Sequence, residues 1–169
     1  MEMLQSARLS FHQLTLADAP LMLRLLNEES FIRNIGDRNV RTLEQAEQYL
    51  EAGPLRSYQL HGFGMFRLVR IHDGANIGLA GLVFRDYLGI PDVGYAMLPE
   101  FSGQGYGSEA AQAVFDYGKN VLQLPQIVGI VAPDNAASKR ILEKIGLVTE
   151  QQILSADTQQ WLDYYTEPQ

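Results

Sequence analysis

Cysteine is absent from all 169 residues. That excludes a disulfide framework, a thiolate nucleophile and a cysteine-ligated zinc. Histidine is nearly absent: His12, His61 and His72 are scattered without ligand spacing, so no metal site is expected. Positive charge is scarce. Lys and Arg number 13 against 20 Asp and Glu, a net charge of −7. With no basic run, the chain lacks the face that nucleic acid needs. The acidic balance favours a cationic partner such as an amine, although solubility accounts for it equally well. No apolar run approaches the ~20 residues of a membrane span. Met1 to Ser10 alternates polar and apolar residues without the apolar stretch of a secretory signal. No membrane partner is expected, and the expected setting is cytoplasmic.

What is present suits a packed domain. Hydrophobic residues make up 46% of the chain and charged ones 20%. Residues 1–169 are expected to form a single domain without a linker.

Periodicity sets out the elements. Arg8 to Leu14 alternates as a first strand does. Thr15 or Asp18 caps a helix running through Leu21, Leu25 and Leu26 to about Glu29. Thr42-Leu43-Glu44-Gln45 has the form of a capping box, and its helix is expected to end at Gly53-Pro54. Phe63 to Ile71 and Ile77 to Arg85 form a hairpin, with Gly78 and Gly81 marking places where another backbone approaches closely. Asp92 to Leu98 is a further strand. A helix follows with Ala110, Ala111, Val114, Phe115 and Tyr117 at helical spacing. Ile127 to Val131 is a short buried strand, and Asp134 or Asn135 starts another helix that stops at Gly146. Leu147 to Leu154 and Trp161 to Tyr165 close the fold, with Trp161, Tyr164 and Tyr165 expected in the core. The order β-α-α-β-β-β-α-β-α-β-β describes a mixed α/β sheet covered by helices.

The chemistry concentrates in Ser102-Gly103-Gln104-Gly105-Tyr106-Gly107, where a strand passes through glycines into a helix. Glycine permits positive φ and close approach of a ligand to the backbone. The first N–H groups of the helix lack internal partners and, with the helix dipole, suit a phosphate or pyrophosphate. A plain turn with a helix cap has the same local pattern. A P-loop needs a Gly-Lys-Ser/Thr triplet, which is missing. A dinucleotide fold needs G-x-G-x-x-G with an acidic residue about twenty positions on. Here the glycines read G-x-G-x-G, and residues 121–127 contain no acid.

These residues resemble the GNAT superfamily of N-acetyltransferases, and within it the RimJ/RimL-like group similar to ribosomal-protein N-terminal acetyltransferases. The superfamily loop Q/R-x-x-G-x-G/A falls on Ser102 to Gly107, with Ser102 where Gln or Arg is usual. Gly105-Tyr106-Gly107-Ser108-Glu109-Ala110 resembles the group's G-Y-A/G-T/S-E-A run. Asn135-Ala136-Ala137-Ser138 and Leu142-Glu143-Lys144-Ile145-Gly146-Leu147 resemble its N-x-x-S and L-x-K-x-G-F segments. Val93-Gly94-Tyr95 matches the strand before the loop, and Arg8-Leu9 the group's opening strand.

The resemblance implies the GNAT fold: a central mixed, mostly antiparallel sheet with helices on both faces and one splayed parallel strand pair. It implies acetyl-CoA as co-substrate, no metal, a primary amine as acceptor and direct transfer in a ternary complex. Gln104, Gly105, Tyr106, Gly107 and Ser108 would hold the pyrophosphate through backbone N–H groups. Met97 or Leu98 would supply an oxyanion donor. Asp92 stands where the group often has a glutamate that serves as base, with Glu100, Asp86 and Glu28 as rivals. Many relatives carry a tyrosine near the position of Leu142 that protonates the leaving thiolate; here Ser138 is the candidate. Asn135 holds the pantetheine arm or caps its helix, and Lys139 and Arg140 either reach the 3′-phosphate or form a solvated turn. The connection from Phe31 to Arg41 would line the acceptor site, where Arg33, Asn34 and Arg38 are placed to touch the acceptor's carboxylate or backbone. A homodimer is the family-level expectation. The competing reading is an acyl-CoA-binding regulatory or interaction protein that has lost turnover.

Overall fold

The computed structural model describes residues 1–169. The elements run β1 (Glu2–Gln5), β2 (Leu9–Gln13), α1 (Ala19–Leu26), α2 (Glu29–Asn34), α3 (Leu43–Leu50), α4 (Arg56–His61), β3 (Met65–Arg70), β4 (Asn76–Val83), β5 (Asp92–Met97), α5 (Tyr106–Asn120), β6 (Gly129–Val131), α6 (Ala136–Lys144), β7 (Val148–Leu154) and β8 (Trp161–Thr166). The first five strands make an antiparallel sheet in the order β1-β2-β3-β4-β5, and the last three a second sheet in the order β6-β8-β7.

The two sheets meet at one parallel bridge, Asp92 to Val128. There the Val93 N–H donates to the Val128 carbonyl at 2.9 Å and the Val128 N–H to the Pro91 carbonyl at 3.0 Å. Past this bridge β5 and β6 share no ladder, so the expected parallel pair is joined at its foot and open above.

The core lies on both faces of the first sheet. On one face Tyr106, Ala110, Ala111 and Val114 of α5 and Leu142 of α6 pack on Leu9, Phe11, Leu68, Ala80 and Leu82. On the other face Met22, Leu25 and Leu26 of α1 and Ala46 and Leu50 of α3 pack on Leu79 and Leu98. These helical positions recur at three- and four-residue spacing, which turns one stripe inward. The central strand β4 is covered on both faces, so it reads as a continuous buried run. A Cβ on Gly81 would lie 2.3 Å from the Gly64 carbonyl oxygen and 2.5 Å from Met65 Cα. β3 approaches that closely because no side chain is there.

Several elements depart from the sequence pattern. β1 precedes the first expected strand and pairs with β2. Thr15 caps a short 3-10 turn reciprocally with Asp18, but α1 stops at Leu26 and a separate α2 follows. The break expected at Gly53-Pro54 is not a break. Residues 51–55 form a wider π-type turn, and the chain stays helical to His61, where Gly62 at φ +75° ends it. A proline lacks the N–H for i→i−4 bonding and its ring crowds that carbonyl. Widening the turn relieves both conflicts. Trp161 is 59% exposed, whereas Tyr165 is buried; both lie on one face of β8, Trp161 at its outer end opposite Leu154 and Tyr165 opposite Gly129 of β6.

Candidate active site

The helix entry is built for an anion. Gly103 and Gly105 sit at φ +74° and +83°, a region that favours glycine, and Gly105 is the N-cap of α5 with no side chain bonded to the cap. The first helical bond runs from the Glu109 N–H to the Gly105 carbonyl at 3.1 Å. The N–H groups of Tyr106, Gly107 and Ser108 therefore have no partner inside the helix. Residues 102–105 are exposed, so nothing from the protein covers this turn. The third glycine has a second duty: a Cβ on Gly107 would meet Ile141 Cδ1 at 3.0 Å, so Gly107 also lets α5 pack on α6.

The turn is fastened to the β1–β2 connection. Glu109 accepts from Ser6 Oγ at 2.5 Å, the Arg8 N–H at 2.8 Å and Arg8 Nε at 2.7 Å. Arg8 Nη1 donates to the Gln104 carbonyl at 3.0 Å, and its guanidinium lies 4.2 Å from the Tyr106 ring centroid. Its neighbouring bonds hold the Glu109 carboxyl below its usual range, although burial opposes this most strongly.

The open edge of β5 supplies the second element. The Leu98 N–H donates to the Ile77 carbonyl at 2.8 Å. Leu98 thus faces β4 and drops out as an oxyanion donor. Alternation along the strand, starting from the Val93 N–H on Val128, turns the Tyr95 and Met97 N–H groups toward the gap. Met97 keeps the place expected for it. A cavity of about 1010 Å³ opens there, lined by Met97, Ser102, Asn135 and Ser138 on one side and by α2, α4 and the β7–β8 turn on the other.

Asp92 sits at the foot of the gap, only 2% exposed. Arg85 Nη1 donates to both its oxygens, at 2.7 and 2.8 Å, and Arg85 Nε reaches Asp157 at 3.3 Å. Burial pushes the Asp92 carboxyl up to about 6 against the opposing pull of Arg85. The rivals are engaged elsewhere or exposed: Glu100 and Glu28 both hold Arg24, and Asp86 lies at the surface.

Ser138 lies in the first turn of α6, which Asn135 caps by accepting from the Ser138 N–H at 3.2 Å. Asn135 is therefore a helix cap and a cavity-lining residue at once. The Tyr95 hydroxyl is 2.5 Å from Ser138 Oγ and 3.2 Å from the Ser138 carbonyl. Burial pushes the Tyr95 phenol up to about 12, which keeps it protonated, and either hydroxyl can be the donor between Tyr95 and Ser138 Oγ. Sequence reasoning missed Tyr95 and Arg85 as site residues. The signal for Tyr95 was its odd-numbered place on β5, shared with Val93 and Met97; nothing local pointed to Arg85. Lys139 is held by Asp163 at 2.8 Å, which turns it from the cofactor role toward a structural one.

Comparison with known proteins agrees with this geometry. A family model described as an acetyltransferase (GNAT) domain matches residues 8–148. YnaD of Bacillus subtilis (strain 168), an uncharacterized N-acetyltransferase, is 33% identical over 89 residues, covering 50% of this chain and 52% of YnaD. The match thus spans about half the length of that relative. YoaA of the same organism, also an uncharacterized N-acetyltransferase, is 28% identical over 149 residues, covering 87% of this chain and 83% of YoaA. RimL, a ribosomal L7/L12 alpha-N-protein acetyltransferase solved in complex with coenzyme A, superposes with a TM-score of 0.83 at 16% identity. That superposition covers 99% of this chain and 97% of RimL, a likeness of fold.

Proposed function

We propose, from the premise that this chain belongs to the GNAT acetyltransferase family, that it transfers the acetyl group of acetyl-CoA to a primary amine by direct attack. One observation carries this reading: an unzipped strand edge at Met97 borders a cavity with Ser138, and that cavity reaches Ser102, in the loop that leads into the uncapped, exposed helix entry. The first takes a pyrophosphate and the second a thioester arm and its carbonyl.

The N–H groups of Gly105 to Ser108, with Gln104 in the turn before them, hold the diphosphate of CoA. Asn135 keeps a side-chain N–H₂ for the pantetheine arm. When the amine nitrogen bonds to the acyl carbon, charge collects on the carbonyl oxygen. The Met97 N–H, fixed by the sheet, donates to it, and one such donor contributes about 10²–10³ in rate. The carbon–sulfur bond then breaks, and Ser138 Oγ gives a proton to the departing thiolate while accepting from Tyr95. Asp92 takes the proton lost by the nitrogen through water, since its own oxygens are held by Arg85. Residues 1–169 carry every part of this scheme and act as one catalytic domain.

The test is thiol release from acetyl-CoA against a panel of primary amines. Amine-dependent release is expected. Its kcat/KM should fall as pH drops through about 6, because Asp92 then gains its proton, and Asp92→Asn should remove that limb. Tight CoA binding with no release across the panel would overturn the transferase reading in favour of a regulatory acyl-CoA-binding protein.

A further inference from the structure

The cavity has a charge unlike that of the molecule around it. Of the arginines, only Arg38, Arg56 and Arg140 have no carboxylate within salt-bridge distance. Two of these, Arg38 and Arg56, line the acceptor side of the cavity. The acids on its walls are spent by contrast. Asp37 is held by Arg41 at 2.6 Å, and Asp92 and Asp157 share Arg85 at 2.7 and 3.3 Å. Asp86 is the exception; it is exposed, as is Arg56, whereas Arg38 is half-buried. A chain of net charge −7 thus keeps uncommitted guanidinium groups on the wall the acceptor must meet.

A second feature lies beside them. The position a Gly36 Cβ would take is 3.9 Å from Arg38 Nη1 and 3.7 Å from Thr158 Cγ2, so these side chains flank the same spot. Thr158 also lines the cavity, and its hydroxyl is buried without any hydrogen-bond partner. A buried hydroxyl left alone is costly, and a ligand oxygen would relieve it. The preceding residue, Asp157, contacts Arg85, which holds Asp92 at the foot of the gap. Arg38 and Thr158 are therefore linked by contacts to the place where the amine reacts.

We infer that the acceptor is a small primary amine that also carries a carboxylate, bound by Arg38, Arg56 and the Thr158 hydroxyl. This rests on the transferase reading and narrows its substrate class. A guanidinium offers a planar pair of donors that matches a carboxylate. A polyamine would meet uncompensated like charge on the same wall.

The experiment compares acceptors in steady state at saturating acetyl-CoA: a dipeptide with a free C-terminal carboxylate, the same dipeptide as its amide, phosphoethanolamine and spermidine. The expected kcat/KM for the carboxylate exceeds that for its amide about tenfold or more, the size of a charge-assisted hydrogen bond. In Arg38→Ala and Arg56→Ala that ratio collapses toward one, through KM. Lys144→Ala removes one positive charge away from the cavity lining and keeps the ratio. An amide or spermidine used as well as the carboxylate would overturn the inference and leave the transferase intact, as would phosphoethanolamine preferred over it. Absence of thiol release with every acceptor would overturn both.

Discussion

Tyr95 and Ser138 lie 43 positions apart and meet at 2.5 Å. A serine hydroxyl is by itself a poor acid toward a thiolate. A phenol that donates to it lets the serine give its own proton at less cost, since hydrogen bonds in a chain polarise one another. In this protein a tyrosine from β5 thus stands behind a serine from α6, while the helix position itself holds the buried Leu142. Tyr95→Phe should lower kcat by about tenfold with little change in CoA affinity, and Ser138→Ala should lower it further. The double variant should resemble Ser138→Ala alone, because Tyr95 acts through the serine. Pre-steady-state kinetics on the four proteins checks this; additive losses would separate the two residues.

The loop, the helix entry and the Asn135 cap were legible as elements because their signals are local. Glycine spacing, a capping side chain and helical periodicity are all read within a few residues. The gap between β5 and β6 was legible only through resemblance, since pairing between residues 92 and 128 leaves no mark in either segment. The same holds for Arg85, whose partner lies across a loop, and for the helix that continues through Pro54. There the local rule for proline was right about the missing hydrogen bond and wrong about its consequence. At the α5 entry a local rule gives a firm prediction. Gly105→Val places a β-branched residue at φ +83° and its Cβ 3.3 Å from Arg8 Nη2. Left-handed backbone costs such a residue about 1–2 kcal/mol. The variant should fold, as far-UV circular dichroism would show, yet bind CoA at least 100-fold more weakly by calorimetry. Normal affinity would remove the turn from the binding site.

At the scale of the molecule, composition excluded more than it identified. The net charge favoured a cationic partner only as well as it fitted plain solubility, and arginines line the cavity all the same, because a sum over the surface does not describe one wall. No helix is long and apolar enough to cross a membrane. Ligand linkage gives a test of the whole chain. A ligand at 100 times its Kd stabilises by about 2.7 kcal/mol, and 1 kcal/mol moves Tm by about 2–4 °C in a protein of this size. CoA at that concentration should raise Tm by about 5–10 °C in a thermal melt, and NAD or NADP should leave it unchanged. A shift with the nicotinamide cofactors alone would assign the glycine turn to a different nucleotide.

The three bonds that Glu109 accepts from Ser6 and Arg8 tie residues 6–8 to the first turn of a helix about a hundred residues downstream. Residues 6–8 therefore have no anchor until the chain has been made as far as α5. Displacing residues 6–8 would loosen the entry to α5, the proposed seat of the cofactor, without altering any of the residues proposed to hold it.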